Sequence, residues 1–207
     1  MMYARSTSIT GDAAQIDACV AFLREEVMPT ITGMDGCMGI SLLVDRDVGR
    51  CIATTSWAGE DEMRATEGQV VPLRDRASRM MGGEAVVDEW EIAVMHREHE
   101  TEEGSWCRVT WMQCDPAELE SMIDFFKDTV LVRLEADDDF CSASFFVDRG
   151  SGRCCGTARF ATREALEATR EMARRMRDER SATSRTTFPD IAECELVLAH
   201  LRVPELV

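Results

Sequence analysis

The chain has 207 residues, room for one large domain or for two of about 100 residues each. Apolar residues make up 45% and charged residues 30%, which supplies a core and excludes a disordered chain. With 39 acidic residues against 23 basic ones the net charge is −16, which removes the general electrostatic reason to bind nucleic acid or an anionic membrane surface. The only Lys is Lys127, and the chain contains no Asn.

In chain order, residues 3–9 alternate as a short strand that ends at Gly11-Asp12, with Asp12 placed to cap a helix. Ile16, Val20, Leu23 and Val27 then recur along one helical stripe. Residues 38–44 and 51–57 read as strands joined by Asp45-Arg46-Asp47-Val48-Gly49-Arg50, a hairpin signature. A second helix begins near Gly59, carries Met63, Val70, Leu73 and Ala77, and is expected to kink or split at Pro72. Residues 90–95 close the unit as a strand. Residues 96–104, His-Arg-Glu-His-Glu-Thr-Glu-Glu-Gly, are polar and aperiodic and read as an acidic linker.

The same order then returns. Val44-Asp45-Arg46 recurs as Val147-Asp148-Arg149 and Gly49-Arg50-Cys51 as Gly152-Arg153-Cys154, at an offset of 103. That offset also carries Arg5 to Arg108, Phe22 to Phe125, Ala65-Thr66 to Ala168-Thr169 and Arg74-Asp75 to Arg177-Asp178. Near the end a shift of one residue aligns Glu91 with Glu195 and His96 with His200. Asp115-Pro116 and Thr162 are the caps of the second copy's helices. The fold class is therefore α+β: two ferredoxin-like β-α-β-β-α-β repeats, residues 1–95 and 105–207, expected to pack sheet to sheet because each sheet has one bare face.

The strand Cys51-Ile52-Ala53-Thr54-Thr55-Ser56-Trp57 runs into Ala58-Gly59-Glu60-Asp61-Glu62-Met63, and its copy ends Phe160-Ala161-Thr162-Arg163-Glu164-Ala165-Leu166. A unit of this length with a strand ending in Trp before an acidic helix start resembles the dimeric α+β barrel superfamily, in particular its antibiotic-biosynthesis-monooxygenase branch. The likeness implies a tandem duplication that forms an intramolecular dimeric α+β barrel, with ligands held between sheet and helices. Some members oxidise aromatic polyketides without a cofactor. A heme-degrading branch uses an Asn on the first strand, a Trp ending the third and a His on the second helix. Trp57 matches the Trp, but the chain has no Asn and no His before residue 96, so that chemistry is not expected.

Cys51, Ala53, Thr55 and Trp57 share a strand face, as do Cys154, Gly156, Ala158 and Phe160. Small residues ending in an aromatic ring either leave space under the helices or let the helices pack closely, with Trp57 as a core anchor. Arg5 lies between Tyr3 and Thr7, and Arg108 between Trp106 and Thr110, on faces that either bind an acidic or phenolic ligand or pair with Glu91 and Glu195 on the fourth strands. For an active protein, Trp57 and Arg5 are the candidate catalytic residues, and Met38, Arg108 and Phe160 the candidate substrate-binding ones. Residues 1–95 are the preferred half, because Trp57 offers an N–H donor where Phe160 offers none.

The other features are expected to be structural. His96 and His99 have a metal-pair spacing but stand beside four glutamates in the linker, so no metal is assigned. The nine cysteines form no Cys-x-x-Cys, and Cys154 and Cys155 point to opposite faces of a strand. Reduced thiols, no secretory leader in the first residues and no apolar span lead us to expect a cytoplasmic protein. The seven Arg from Arg163 to Arg185 are interleaved with acids at helical spacing and read as a salt-bridged surface. The function that follows is a cofactor-independent, monooxygenase-like protein acting on a small aromatic or polyketide-like molecule, with a non-catalytic binding or structural barrel as the alternative. A small molecule is the expected partner, with no nucleic acid and no membrane, and self-association beyond the single-chain pseudo-dimer stays open.

Overall fold

The computed structural model describes residues 1–99 and 102–207. Its strands are β1 (Tyr3–Thr10), β2 (Cys37–Asp45), β3 (Arg50–Trp57), β4 (Ala85–Arg97), β5 (Trp106–Gln113), β6 (Phe140–Asp148), β7 (Arg153–Phe160) and β8 (Thr187–Leu201). The helices are α1 (Ile16–Phe22), α2 (Met28–Thr32), α3 (Glu60–Ala65), α4 (Glu67–Met81), α5 (Leu119–Phe125), α6 (Val132–Leu134), α7 (Arg163–Ala168) and α8 (Arg170–Thr183). Hydrogen-bonded strand order is β1-β3-β2-β8-β5-β7-β6-β4, closed on itself. This is the α+β, ferredoxin-like, dimeric-barrel architecture.

The two repeats share one register. Tyr3, Arg5, Thr7 and Ile9 lie opposite Trp57, Thr55, Ala53 and Cys51, and Trp106, Arg108, Thr110 and Met112 lie opposite Phe160, Ala158, Gly156 and Cys154. Local chemistry explains the shared boundaries. Asp12 and Asp115 each accept a hydrogen bond from the backbone N–H two residues on, at 2.9 Å, and open the first helices. In the hairpins, Asp45 accepts from the Asp47 and Val48 amides, and Asp148 from those of Gly150 and Ser151. Gly152 closes its hairpin at φ 75°, where a Cβ would come within 2.3 Å of the Cys114 carbonyl oxygen.

Two compact units result, and each takes in the tail of the other repeat. The first comprises 1–90 and 194–203, the second 91–193 and 204–207. β4 and β8 change units at their middles, so both are longer than the predicted strands 90–95 and 194–199. In the first unit β2 pairs with β8 from Glu195 to Leu201, and in the second β4 pairs with β6 from Glu91 to Arg97. Bulges between Leu42 and Leu43 and between Ile92 and Val94 accompany these pairings. The segment assigned as linker therefore begins inside β4. This division by contact is a separate matter from the division by sequence register into 1–95, 96–104 and 105–207.

Two further expectations need correction. The second helix of the first repeat does break, but at Thr66 rather than Pro72, and α4 continues through the proline. The second repeat breaks at Thr169 with no proline nearby. The cause is the threonine: its hydroxyl donates to the carbonyl of Met63 (2.7 Å) or Leu166 (2.8 Å), ending one helix where the next begins. The expected Arg5–Glu91 and Arg108–Glu195 pairs do not form. Glu91 sits opposite Val147 and pairs with Arg149, which also meets Glu120; Glu195 sits opposite Val44 and lies 3.7 Å from Arg46, which also binds Asp17. Residues 91 and 195 lie beyond the points where β4 and β8 change units, which the repeat alone does not reveal.

The core of the first unit gathers Ile16, Phe22, Ile40, Leu42, Trp57, Met63 and Met81 with Leu198, and that of the second gathers Leu119, Phe126, Phe140, Phe145, Phe160 and Leu166 with Val94. Gly152→Ala should cost about 1–3 kcal/mol or more, a strained backbone plus a backbone clash. Gly82→Ala, at φ 67° with nothing near its Cβ, should cost only about 1–2 kcal/mol. Urea unfolding of the two variants checks the close approach, which is absent if the costs are equal.

Candidate functional site

Each unit holds a cavity between the sheet face and the helices, at equivalent positions. The first, about 60 Å³, is lined by Thr7, Leu23, Leu42, Ala53, Thr55 and Arg74 among others. The second, about 90 Å³, is lined by the corresponding Thr110, Phe126, Phe145, Gly156, Ala158 and Arg177. Both walls are mostly apolar, the usual make-up of a small-molecule site. Small residues on β3 and β7 supply the space. In each repeat the first helix carries a π-helical stretch, Leu23–Val27 and Phe126–Leu131, which places Leu23 with Val27, and Phe126 with Val130, on the cavity.

The second cavity is the more aromatic. Phe126 and Phe145 replace Leu23 and Leu42 and stack at 4.7 Å with 25° between their planes. Gly156 stands where the first repeat has Ala53. A Cβ there would lie 3.2 Å from the Met112 methyl and about at contact with Phe126 (3.4 Å), so the glycine relieves a tight approach to Met112. Phe125 and Phe188 complete an aromatic wall.

Arg5 and Arg108 line the cavities, but their guanidinium groups are largely committed. Arg5, 2% exposed, donates through Nε and Nη2 to Glu89 (3.1 and 2.7 Å) and through Nη1 to Thr66 (3.3 Å), and its Nη2 lies 3.0 Å from Glu67. Arg108 donates to Glu193 (3.1 and 2.8 Å), to Thr169 (2.9 Å) and to the Leu166 carbonyl (2.9 Å). Burial alone would raise the Glu193 carboxyl, but hydrogen bonds from Arg170 and Arg108 outweigh it and hold the group below its ordinary 4.5.

The remaining predicted site residues lie apart from the cavities. Trp57 is fully buried in the first core, and its indole N–H donates to Thr55 Oγ1 at 3.0 Å. That donor, which favoured residues 1–95, is spent inside the fold. Phe160 is buried and meets Phe140 edge-on at 6.1 Å. Met38 falls at a bulge between Cys37 and Gly39, which breaks the alternation that would have put it on the face of Ile40 and Leu42. The structure thus brings Arg5 to one cavity and Arg108 to the other, and leaves Trp57, Phe160 and Met38 outside both linings.

Arg74 and Arg177 also line the cavities, although in the sequence they stand out only as markers of the repeat. Arg74 reaches Glu67 through Nη1 at 3.1 Å, while its Nε and Nη2 are buried without a hydrogen-bond partner among the described residues. Arg177 has no hydrogen bond or ion pair among the described residues. Burial, then the neighbouring Arg108 charge, lower its pKa. Their signal was a basic residue on the apolar stripe next to Leu73 and Met176.

Elsewhere, His96 stands in β4 within 3.1 Å of Glu98, Glu135 and Glu205, and it stacks on Phe140; His99 is not in this cluster. None of the nine cysteines is in a disulfide and most are buried, and burial pushes the Cys107 thiol up to about 12. The Arg-rich helix is salt-bridged as expected: Arg174 binds Glu171 and Asp178, Arg175 binds Glu171, and Arg163 binds Glu167. No helix among the described residues is long and apolar enough to cross a membrane.

Two β-α-β-β-α-β repeats with a helix-covered cavity in each define the dimeric α+β barrel fold. Within that class the chain belongs to a family that includes two proteins of Mycobacterium tuberculosis (strain ATCC 25618 / H37Rv), Uncharacterized protein Rv2557 and Uncharacterized protein Rv2558. It is 45% identical to the first over 207 residues (100% of this chain, 92% of that protein) and 44% identical to the second over 210 residues (100% and 88%). No protein-family model matches it. Among solved structures it is similar to a proposed monooxygenase from Lactobacillus acidophilus NCFM (TM-score 0.69, 9% identity, 97% of this chain and 96% of that one). It is also similar to an anthrone oxidase-like protein (0.69, 13%, 99% and 95%) and to a heme-degrading enzyme from Listeria monocytogenes (0.53, 7%, 92% and 98%). Identities this low carry the fold alone.

Two outcomes check this site. Because the native Glu193 carboxyl lies below its unfolded value, its stabilising contribution is complete above about pH 4.5 and is lost as pH falls through the native value. Glu193→Gln should flatten the fall in melting temperature on acidification, and an unchanged slope would contradict the pairing. Trp57→Phe should cost about 1 kcal/mol or a little more, for one neutral hydrogen bond and some packing, with ligand binding unaltered. Loss of binding in that variant would return Trp57 to the site.

Proposed function

We propose that the chain binds a small, largely apolar molecule in these cavities and acts as a cofactor-independent, monooxygenase-like protein on an aromatic or polyketide-like substrate. The observation that carries this reading is the second cavity, aromatic-walled and built around Gly156, with Arg108 and Arg177 as its charged groups. Confinement beside an apolar wall suits a substrate that reacts with oxygen by its own electron richness. The protein then supplies position and a dry site rather than an acid–base pair. No histidine among the described residues lines either cavity, so the histidine that the heme-degrading branch uses has no counterpart there. The residues committed to structure, Trp57 among them, favour binding over a side-chain-driven reaction, so a binding protein without turnover is the second reading.

A thermal-shift series with aromatic quinols, flavins, heme and aromatic acids, followed by oxygen uptake with each binder, tests both. Binding of a quinol or aromatic acid should raise the melting temperature in proportion to RT ln(1 + [L]/Kd). Uptake of oxygen supports the enzyme, binding without uptake supports the second reading, and no shift with any aromatic compound contradicts both.

A further inference from the structure

The two cavities differ in one charged contact. In the first repeat the helix pair carries Arg64 and Glu67; the second repeat reverses the order to Glu167 and Arg170. Glu67 lies 3.0 Å from Arg5 and 3.1 Å from Arg74, so each cavity-lining arginine of the first unit has a carboxylate beside it, Arg74 through Nη1 alone. Its counterpart Arg170 cannot do this. It joins Arg108 on Glu193 instead (2.5 Å), while Glu167 binds Arg163 at 3.0 Å and Arg170 at 3.2 Å. The second unit keeps its carboxylates away from the helix-borne cavity arginine.

Arg177 lines this cavity together with Met112, Phe125 and Phe188, with no hydrogen bond or ion pair among the described residues. Glu193 and Asp178 act on it only as distant charges, opposed by Arg108 and Arg174. A half-buried cation beside a second cation costs free energy unless an anion joins it, and its five N–H donors suit a planar oxyanion. A protein of net charge −16 has every opportunity to place a carboxylate there and does not.

We infer that the second cavity is selective for an amphiphilic anion, an aromatic body carrying a carboxylate or enolate, whose oxygens Arg177 binds while the ring lies against Phe126 and Phe145. The first cavity, with Glu67 on Arg74, lacks this preference. The inference rests on the reading that the cavities bind small molecules, and it adds the charge of the ligand and the residue that selects it.

The test is calorimetric titration of the whole chain with 1-naphthoate and with the neutral 1-naphthamide. The variants are Arg177→Gln, Arg177→Lys and Arg74→Gln, with thermal unfolding to verify each fold. The wild-type chain should prefer naphthoate by about tenfold or more, the worth of one charge-assisted hydrogen-bonded contact. Arg177→Gln should lose that preference while still binding naphthamide, Arg177→Lys should retain part of it, and Arg74→Gln should leave it intact. Equal binding of the two probes, a preference that survives Arg177→Gln, or one that vanishes in Arg74→Gln overturns the inference and leaves the cavity reading standing. Failure of both probes to bind overturns the cavity reading and the inference with it.

Discussion

A buried arginine on the first strand of each repeat holds the unit together at the point where strand, helix break and last strand meet. Arg5 and Arg108 are almost fully covered, at 2% and 5% exposure, and a charge so placed must be paired. Each is tied to a threonine at the joint between two helices, Thr66 or Thr169, and to a carboxylate on the last strand, Glu89 or Glu193. The same hydroxyl that accepts from the arginine ends the preceding helix by donating to Met63 or Leu166. One charge therefore sets where the helix pair turns over the sheet, and the cavity lies under the helix beyond that turn. Removing one partner of such a buried group generally costs about 3–5 kcal/mol, far more than a surface pair contributes.

The duplication then offers two versions of one chamber. The second repeat has Phe126 and Phe145 where the first has Leu23 and Leu42, and Gly156 where the first has Ala53, larger side chains over a smaller one. The reversal of Arg64 and Glu67 into Glu167 and Arg170 alters the charged contacts without altering the fold. One scaffold can in this way keep two apolar chambers with different tastes, which a dimer of identical subunits cannot do.

The architecture was legible because repetition and alternation are written in single residues. Asp12 and Asp115 cap, Gly49 and Gly152 close hairpins, and the alternations from Tyr3 and Trp106 put the arginines and threonines on one face. Pairing across the repeats was not legible. Nothing in Glu91 or Glu195 says that β4 and β8 pass from one unit to the other at that point, so the ion pairs were expected two residues too late. The site was half legible. Strand positions follow a period of two and gave Arg5 and Arg108. Trp57 and Phe160 share that face but end in the core, and the bulge at Met38 breaks the period altogether. Arg74 and Arg177 were hidden because a basic residue on a helix normally belongs to solvent, and their role depends on what their neighbours leave unpaired.

The claim at the centre is that a small molecule enters the space between sheet and helices, and amide NMR of the whole chain tests it most directly. Titration of the ¹⁵N-labelled protein with 1-naphthoate should move the amides of Thr110, Gly156 and Thr157 progressively and to saturation, since these line the second cavity. Shifts confined to the exposed arginines between Arg163 and Arg185, or no saturating shift at all, would contradict the account.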